Sequence, residues 1–176
     1  MSRTPETLPG ESAPAWFAFC PRCGSPMVTE RVADKPRRVC ASCRYVHFTD
    51  PKVGVGVAVV DGGKLLLVRR AMNPERGKWS LPAGFVDQGL DPKVIAAREA
   101  WEETGLTVEI ESVIDVFFNP PSAGGASIFI LYRATLLGGQ LQAGDDADAA
   151  GFFASDQLPE LAFASTRAAV AALYNP

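Results

Sequence analysis

Four cysteines stand in two pairs, Cys20-Pro21-Arg22-Cys23 and Cys40-Ala41-Ser42-Cys43, with sixteen residues between Cys23 and Cys40. Two pairs at this separation can close a tetrahedral thiolate site, and Gly24 allows the tight turn after the first of them. The segment between them is too small to fold on a core of its own, so a bound metal has to hold it. Disulfides are the competing arrangement. The N-terminus MSRTPETLPG has no apolar signal segment, however, and structural disulfides rarely persist in a reducing compartment. A redox-active pair needs only one such motif. Iron also accepts four thiolates, but zinc is the usual structural choice. Four cysteines saturate zinc and leave no position for a reacting water, which makes the site structural. The only histidine, His47, is then unnecessary as a ligand and reads as a packing residue where this module meets the rest of the chain.

Everything else has to build one larger core. Of 176 residues, 47% are hydrophobic and 21% charged, enough apolar side chain to offset the entropy of folding. The longest apolar run, Val53 to Val60, has eight residues, far below the ~20 of a membrane helix. No membrane partner is expected, and the expected location is cytoplasmic. Cys20 to His47 carries six basic side chains against two acidic ones, so this segment is +4 and the remainder −7, for a net −3. A basic module beside an acidic one suits contact with phosphates, and it equally describes ordinary solvated surface. Residues 1–16, rich in Pro, Ser and Glu without periodicity, read as a flexible leader.

After Asp50-Pro51, the runs Val53–Val60 and Lys64–Arg69 flank Asp61-Gly62-Gly63, a hairpin signal. Further strands are expected near Val108–Phe117 and Ser127–Leu137, on either side of a loop from Asn119 to Gly125. Asp91-Pro92 is an N-cap followed by proline at the first helical position, and Gly105 closes that helix. A second helix is expected from about Ser165. The pattern is mixed α and β around one core. In the first helix Glu99, Glu102 and Glu103 fall at i, i+3 and i+4 and so share a face, while Val94, Ala97 and Trp101 form another face suited to packing on the sheet. Three carboxylates on neighbouring turns repel one another. Arg98 or a hard divalent cation would offset them, and a plain solvated acidic face stays open on spacing alone.

The residues before the helix narrow this choice. Gly84-Phe85-Val86-Asp87-Gln88-Gly89 feeds the helix start, and Arg98-Glu99-Ala100-Trp101-Glu102-Glu103-Thr104-Gly105-Leu106 follows at a fixed distance. The stretch resembles the Nudix box: Gly, five residues, Glu, seven residues, Arg-Glu, an apolar residue, any residue, Glu-Glu, any residue, Gly, an apolar residue. Gly84 and the run Arg98–Leu106 match, Trp79-Ser80-Leu81-Pro82-Ala83 fits the family's approach to the box, and the first glutamate is replaced by Leu90. With two cysteine pairs upstream, nearly the whole chain is similar to the zinc-ribbon branch of the superfamily, which includes pyrophosphatases of NADH, FAD and ADP-ribose type. The Ser-Gln-Pro-Trp stretch of NADH pyrophosphatases is missing, and Leu158–Ser165 looks more like the ADP-ribose- and FAD-cleaving members.

The resemblance implies a zinc ribbon at 17–49 with Zn²⁺ on Cys20, Cys23, Cys40 and Cys43. It implies a Nudix α/β/α sandwich with a mixed β-sheet at 50–176. The implied reaction is hydrolysis of a nucleoside diphosphate linked to another group, by water attack on phosphorus with Mg²⁺ or Mn²⁺. Glu99 and Glu103 would be the principal metal ligands, with Glu102 as ligand or base, the Ala83 carbonyl as a further ligand, and Arg98 orienting the glutamates or meeting phosphate. Phe118, Arg69 and Phe163 are the expected substrate contacts; Phe117, Phe129 and Arg70 are neighbours with the same chemistry, and Trp79 reads as core or loop support. Many relatives place a glutamate about where Ala149 stands, and Asp146 or Asp148 is the nearest substitute. The expected partner is a small nucleotide, with a homodimer in keeping with relatives and nucleic acid disfavoured. Two alternatives remain: sanitation of oxidised nucleoside triphosphates, and a weakly catalytic module that binds nucleotide or RNA.

Overall fold

In the computed structural model, which describes residues 17–119 and 126–174, the backbone divides into two units at the Asp50–Pro51 junction. The leader expected at residues 1–16 lies outside the described residues. In the first unit β1 (Met27–Val32), β2 (Lys35–Cys40) and β3 (Val46–His47) form an antiparallel sheet. Among the described residues its buried apolar cluster is Cys20, Met27 and Cys40, with Tyr45 packed against it. The four cysteines, all free thiols, bring their sulfurs within 4.8 Å of one another. The Sγ separations are 3.7 Å for Cys20 and Cys43 and 3.5 Å for Cys23 and Cys40. A tetrahedron of Zn–S bonds of about 2.3 Å spaces its sulfurs by about 3.8 Å, which these two separations match. The backbone N–H groups of Arg22 and Cys43 donate to Cys20 Sγ and Cys40 Sγ at 3.4 and 3.3 Å, and the second of these bonds lowers the Cys40 thiol below its ordinary range. His47 has its partner inside this unit, stacked on Phe17 with ring centroids 3.7 Å apart.

The second unit runs β4 (Val53–Asp61), β5 (Lys64–Arg70), β6 (Trp79–Ser80), β7 (Ala83–Phe85), α1 (Pro92–Thr104), β8 (Leu106–Phe118), β9 (Ile128–Gly139), β10 (Ala147–Phe153) and α2 (Ala164–Tyr174). Its sheet has the order β10-β5-β4-β9-β8, with β6 on β5 and β7 on β4. Because β4 runs parallel to β9 and antiparallel to β5 and β7, the sheet is mixed. Alternation along β4 sorts the two faces. Val55, Val57 and Val59 pack with Ile95, Ala96 and Ala100 of α1, whereas Ala58 packs with Leu65, Leu67 and Leu131 against Ala169 of α2. One helix thus covers each face, the α/β/α arrangement expected from the sequence.

Helix α1 begins where its cap predicts: the Asp91 side chain accepts from the Lys93 N–H at 2.8 Å. It ends at Gly105, whose φ of 69° suits glycine and whose N–H donates to the Trp101 carbonyl at 2.8 Å. The buried face differs from the expected one. Val94 and Trp101 are 63% and 58% exposed, and Ile95, Ala96, Ala100, Glu103 and Thr104 face the sheet instead. Short side chains let the helix backbone approach β4 closely, and burying Glu103 fixes the rotation. The hairpin, β8, β9 and both helices stand where the sequence places them. Strands β6 and β7 have only two and three residues, too short for periodicity to reveal, and β10 (ADAAGFF) lacks alternation.

Extensively dialysed protein is expected to retain one zinc per chain by metal analysis. Cys40→Ser should lose that zinc and the order of residues 18–49, while circular dichroism keeps most of the signal of the second unit.

Candidate active site

Glu103 sits on the inward face of α1 with only 6% exposure, and its Oε2 accepts the Ala83 N–H at 3.0 Å. Ala83 belongs to β7, so this bond ties the helix to the short strand. Burial pushes the Glu103 carboxyl up to about 8; the Ala83 N–H and Arg70 oppose that shift, and Glu99 and Asp146 add to it. Glu99, one turn earlier, is also raised, first by burial, then by Glu102, with Asp145 and Asp146 contributing and Arg98 opposing. Its carboxylate occupies the space a side chain at residue 84 would fill, so Gly84 is needed for its position. Glu102 is more exposed and lies 3.8 Å from Arg98 Nε. That pair is largely in water and worth little.

A second segment closes in from the far side. The N–H groups of Gln142 and Gly144 donate to the carbonyls of Thr104 and Glu103 at 2.9 and 3.2 Å, docking the 140–146 loop on the end of α1. The loop brings Asp145 and Asp146 within electrostatic reach of the glutamates. Asp148, the other candidate for the missing loop carboxylate, is taken by Arg69 at 2.6 Å. A β-bulge between Ala147 and Ala149 accompanies this pairing. Leu90 is exposed at the head of α1, with its N–H on the Asp87 carbonyl at 3.2 Å.

Beside the carboxylates lies a cavity of about 340 Å³. Ala83, Gly84 and Asp146 belong to its wall, so the acidic cluster and the cavity share the β7 edge. Arg70 is the one cationic residue in the lining among the described residues; its guanidinium stacks 4.9 Å from the Phe163 ring and donates through Nε to the Pro74 carbonyl. The remaining wall is largely apolar and includes Phe85 and Phe129.

Residues 50–174 match the family model described as NUDIX domain, and residues 18–49 match the one described as Nudix N-terminal. The chain belongs to the Nudix family. It is a pyrophosphatase of that family, carrying the family's N-terminal zinc ribbon. The Nudix chain is similar to an ADP-ribose pyrophosphatase of Methanocaldococcus jannaschii, 38% identical over 121 residues that make up 68% of this chain and 72% of the relative. It is 32% identical over 146 residues to the NAD-capped RNA hydrolase NudC of Chromobacterium violaceum, matching 81% of this chain but 52% of that protein. Among solved structures, a NUDIX hydrolase from Nitrosomonas europaea superposes with a TM-score of 0.78 at 34% identity, covering 85% of this chain and 86% of the other. Among the described residues no helix is long and apolar enough to cross a membrane.

Of the residues expected from the sequence, Glu103 is bonded to Ala83, Glu99 lies against Gly84, Glu102 stands beside Arg98, and Ala83 and Phe163 line the cavity; among the described residues only the four cysteines converge as a ready metal-ligand group. Arg69 and Phe118 stand outside the cavity lining: Arg69 is held by Asp148, and Phe118 is 75% exposed. Arg70 and Phe129 line the cavity instead. Strand alternation separates Arg69 from Arg70, yet which of the two faces inward depends on the β5–β10 pairing, which the sequence does not reveal.

Two outcomes are expected. Gly84→Ala should leave the fold intact while displacing the Glu99 carboxylate, so Mn²⁺ affinity measured by calorimetry falls at least tenfold with little change in melting temperature. The Glu103 carboxyl titrates near 4.5 when unfolded and about 8 when folded. Its stabilising contribution is therefore complete below pH 4.5 and is lost as pH rises to about 8, by at most about 1.4 kcal/mol per pH unit. In buffer free of divalent cations, the second unit of the parent protein should lose stability across that window relative to Glu103→Gln, as read by thermal melts.

Proposed function

We propose that this Nudix enzyme hydrolyses a nucleoside diphosphate linked to a second group, of the ADP-ribose or FAD kind, at the pyrophosphate, using Mg²⁺ or Mn²⁺ held by Glu99 and Glu103. The supporting observation is the shared edge at β7, where two desolvated carboxylates meet a cavity that contains a free-handed arginine. Hard divalent cations take carboxylate oxygens. A carboxyl raised to about 8 by burial, with Glu99 and Asp146 adding to the shift, has the donor chemistry such a cation takes. Glu102 and Asp146 are the adjoining carboxylates able to complete the donor set or take a proton from water.

When bound, the cation supplies charge neutralisation at phosphorus and a lower pKa for attacking water. The chain's own residues do the positioning. The Ala83 N–H fixes one Glu103 oxygen and leaves the other free, and Gly84 gives Glu99 room to lie beside it. Arg70, with Nε committed to the Pro74 carbonyl, keeps its terminal N–H groups for a phosphate oxygen. Water adds to one phosphorus, the bridging P–O bond breaks, and two monophosphates leave. Positioning and charge are most of what such a reaction requires.

With a substrate panel including ADP-ribose and FAD, turnover should require added Mg²⁺ or Mn²⁺, and ADP-ribose should give AMP and ribose 5-phosphate. Glu103→Gln is expected to lose at least ~100-fold in kcat, about 2.7 kcal/mol of transition-state stabilisation. Near-full activity in that variant would remove the carboxylates from the chemistry.

A further inference from the structure

Strand register gives the cavity an aromatic end that the chemistry at β7 does not use. Gly54 of β4 is paired with Phe85 of β7 on one side and with Phe129 of β9 on the other. Residues directly opposite one another in neighbouring strands share a face, so Phe85 and Phe129 project to the same side of the sheet with no side chain between them at Gly54. Two residues along, Gly56 is again bare. A Cβ there would overlap the tip of the Phe129 ring, and one at Gly54 would come within 2.8 Å of Ala126 and 3.3 Å of the same ring. The paired glycines therefore let Phe129 lie flat across the β4 backbone. All three of Gly54, Phe85 and Phe129 line the cavity.

We infer that this end of the cavity takes the nucleobase of the substrate, with Phe129 as its stacking platform and Phe85 as the facing wall. The inference rests on the hydrolase reading above and adds which half of the substrate the enclosed space recognises. Because Phe129 lies against β4 and lines the cavity, its face turned away from the strand is the surface open to a flat ring. A flat π-system gains from offset stacking on an aromatic ring, and base–aromatic stacking contributes enough to change affinity severalfold to a hundredfold. Lys52 stacks on Phe85 at 5.4 Å and holds that ring as a wall. Gly54 and Gly56 are positioning residues, acting through the ring they accommodate.

The test uses product binding to the full-length protein, measured by calorimetry with AMP and with ribose 5-phosphate, which lacks a base. Phe129→Leu should weaken AMP about tenfold and leave ribose 5-phosphate unchanged, while Phe129→Tyr, which keeps the ring, should bind AMP like the parent. Because Phe129 also packs against the core, Phe85→Leu at a half-exposed position carries the same expectation of selective AMP loss if Phe129→Leu fails to fold. Equal loss of both ligands, or no loss of AMP in folded Phe129→Leu or Phe85→Leu, overturns the assignment. Absence of ADP-ribose hydrolysis by the parent would count against the hydrolase reading alone, since selective loss of AMP binding is scored without turnover.

Discussion

A single hydrogen bond, from the Ala83 N–H to the Glu103 carboxylate, ties helix α1 to the cavity edge on which the proposed chemistry depends. It is part-buried, it joins a helix to a strand of three residues, and it accompanies the inward turn of the Glu103 face of α1. A carboxylate is costly to bury unless its oxygens find partners, and one N–H partner recovers only part of that cost. The rest persists as a raised pKa, a local imbalance that a divalent cation would relieve. Glu99 extends the imbalance along the helix, and Gly84 permits it by leaving its own place empty.

The remaining pieces are arranged around that bond by ordinary packing. Valines on alternate positions of β4 hold α1, the opposite alternation holds α2, and the cavity opens beside the end of β7. Among the described residues its lining holds one acidic residue, Asp146, and one cationic residue, Arg70, which is clamped by Phe163 and Pro74. Glu103 and Glu99 adjoin the same wall through Ala83 and Gly84. The thiolate ribbon solves a separate problem, giving a segment with almost no apolar interior a geometry that four sulfurs can fix.

Local signals were the legible ones. The cysteine spacing, the Asp91-Pro92 cap, the Gly105 stop and the Gly-to-Glu spacing of the box are all written in a few adjacent residues, and the structure places each accordingly. What escaped the sequence depends on distant pairing. Val94 and Trp101 look like a core stripe until the small residues Ala96 and Ala100, together with Glu103, win the contact with β4. Arg69 and Arg70 are neighbours with identical chemistry, and only the partner strand β10 decides that Asp148 takes the first. Phe129 and Phe118 are likewise equivalent on paper; two glycines more than seventy residues earlier set the former's ring against the sheet.

The carboxylate helix also sits awkwardly with its own dipole. Its last turn holds Glu102 and Glu103 and no basic residue, although the partial charge at a helix C-terminus is already negative. Its first turn has no acidic side chain, so the Asp91 cap alone compensates the other pole. Thirteen residues is close to the length below which isolated helices are marginal in water, and this one also carries like charges on adjacent turns. Cut free as a peptide, 92–104 would have little helix of its own. The glutamates come into register only once β4, β7 and the 140–146 loop have gathered around them, so the acidic pole is a product of tertiary assembly and cannot be transplanted as a motif alone.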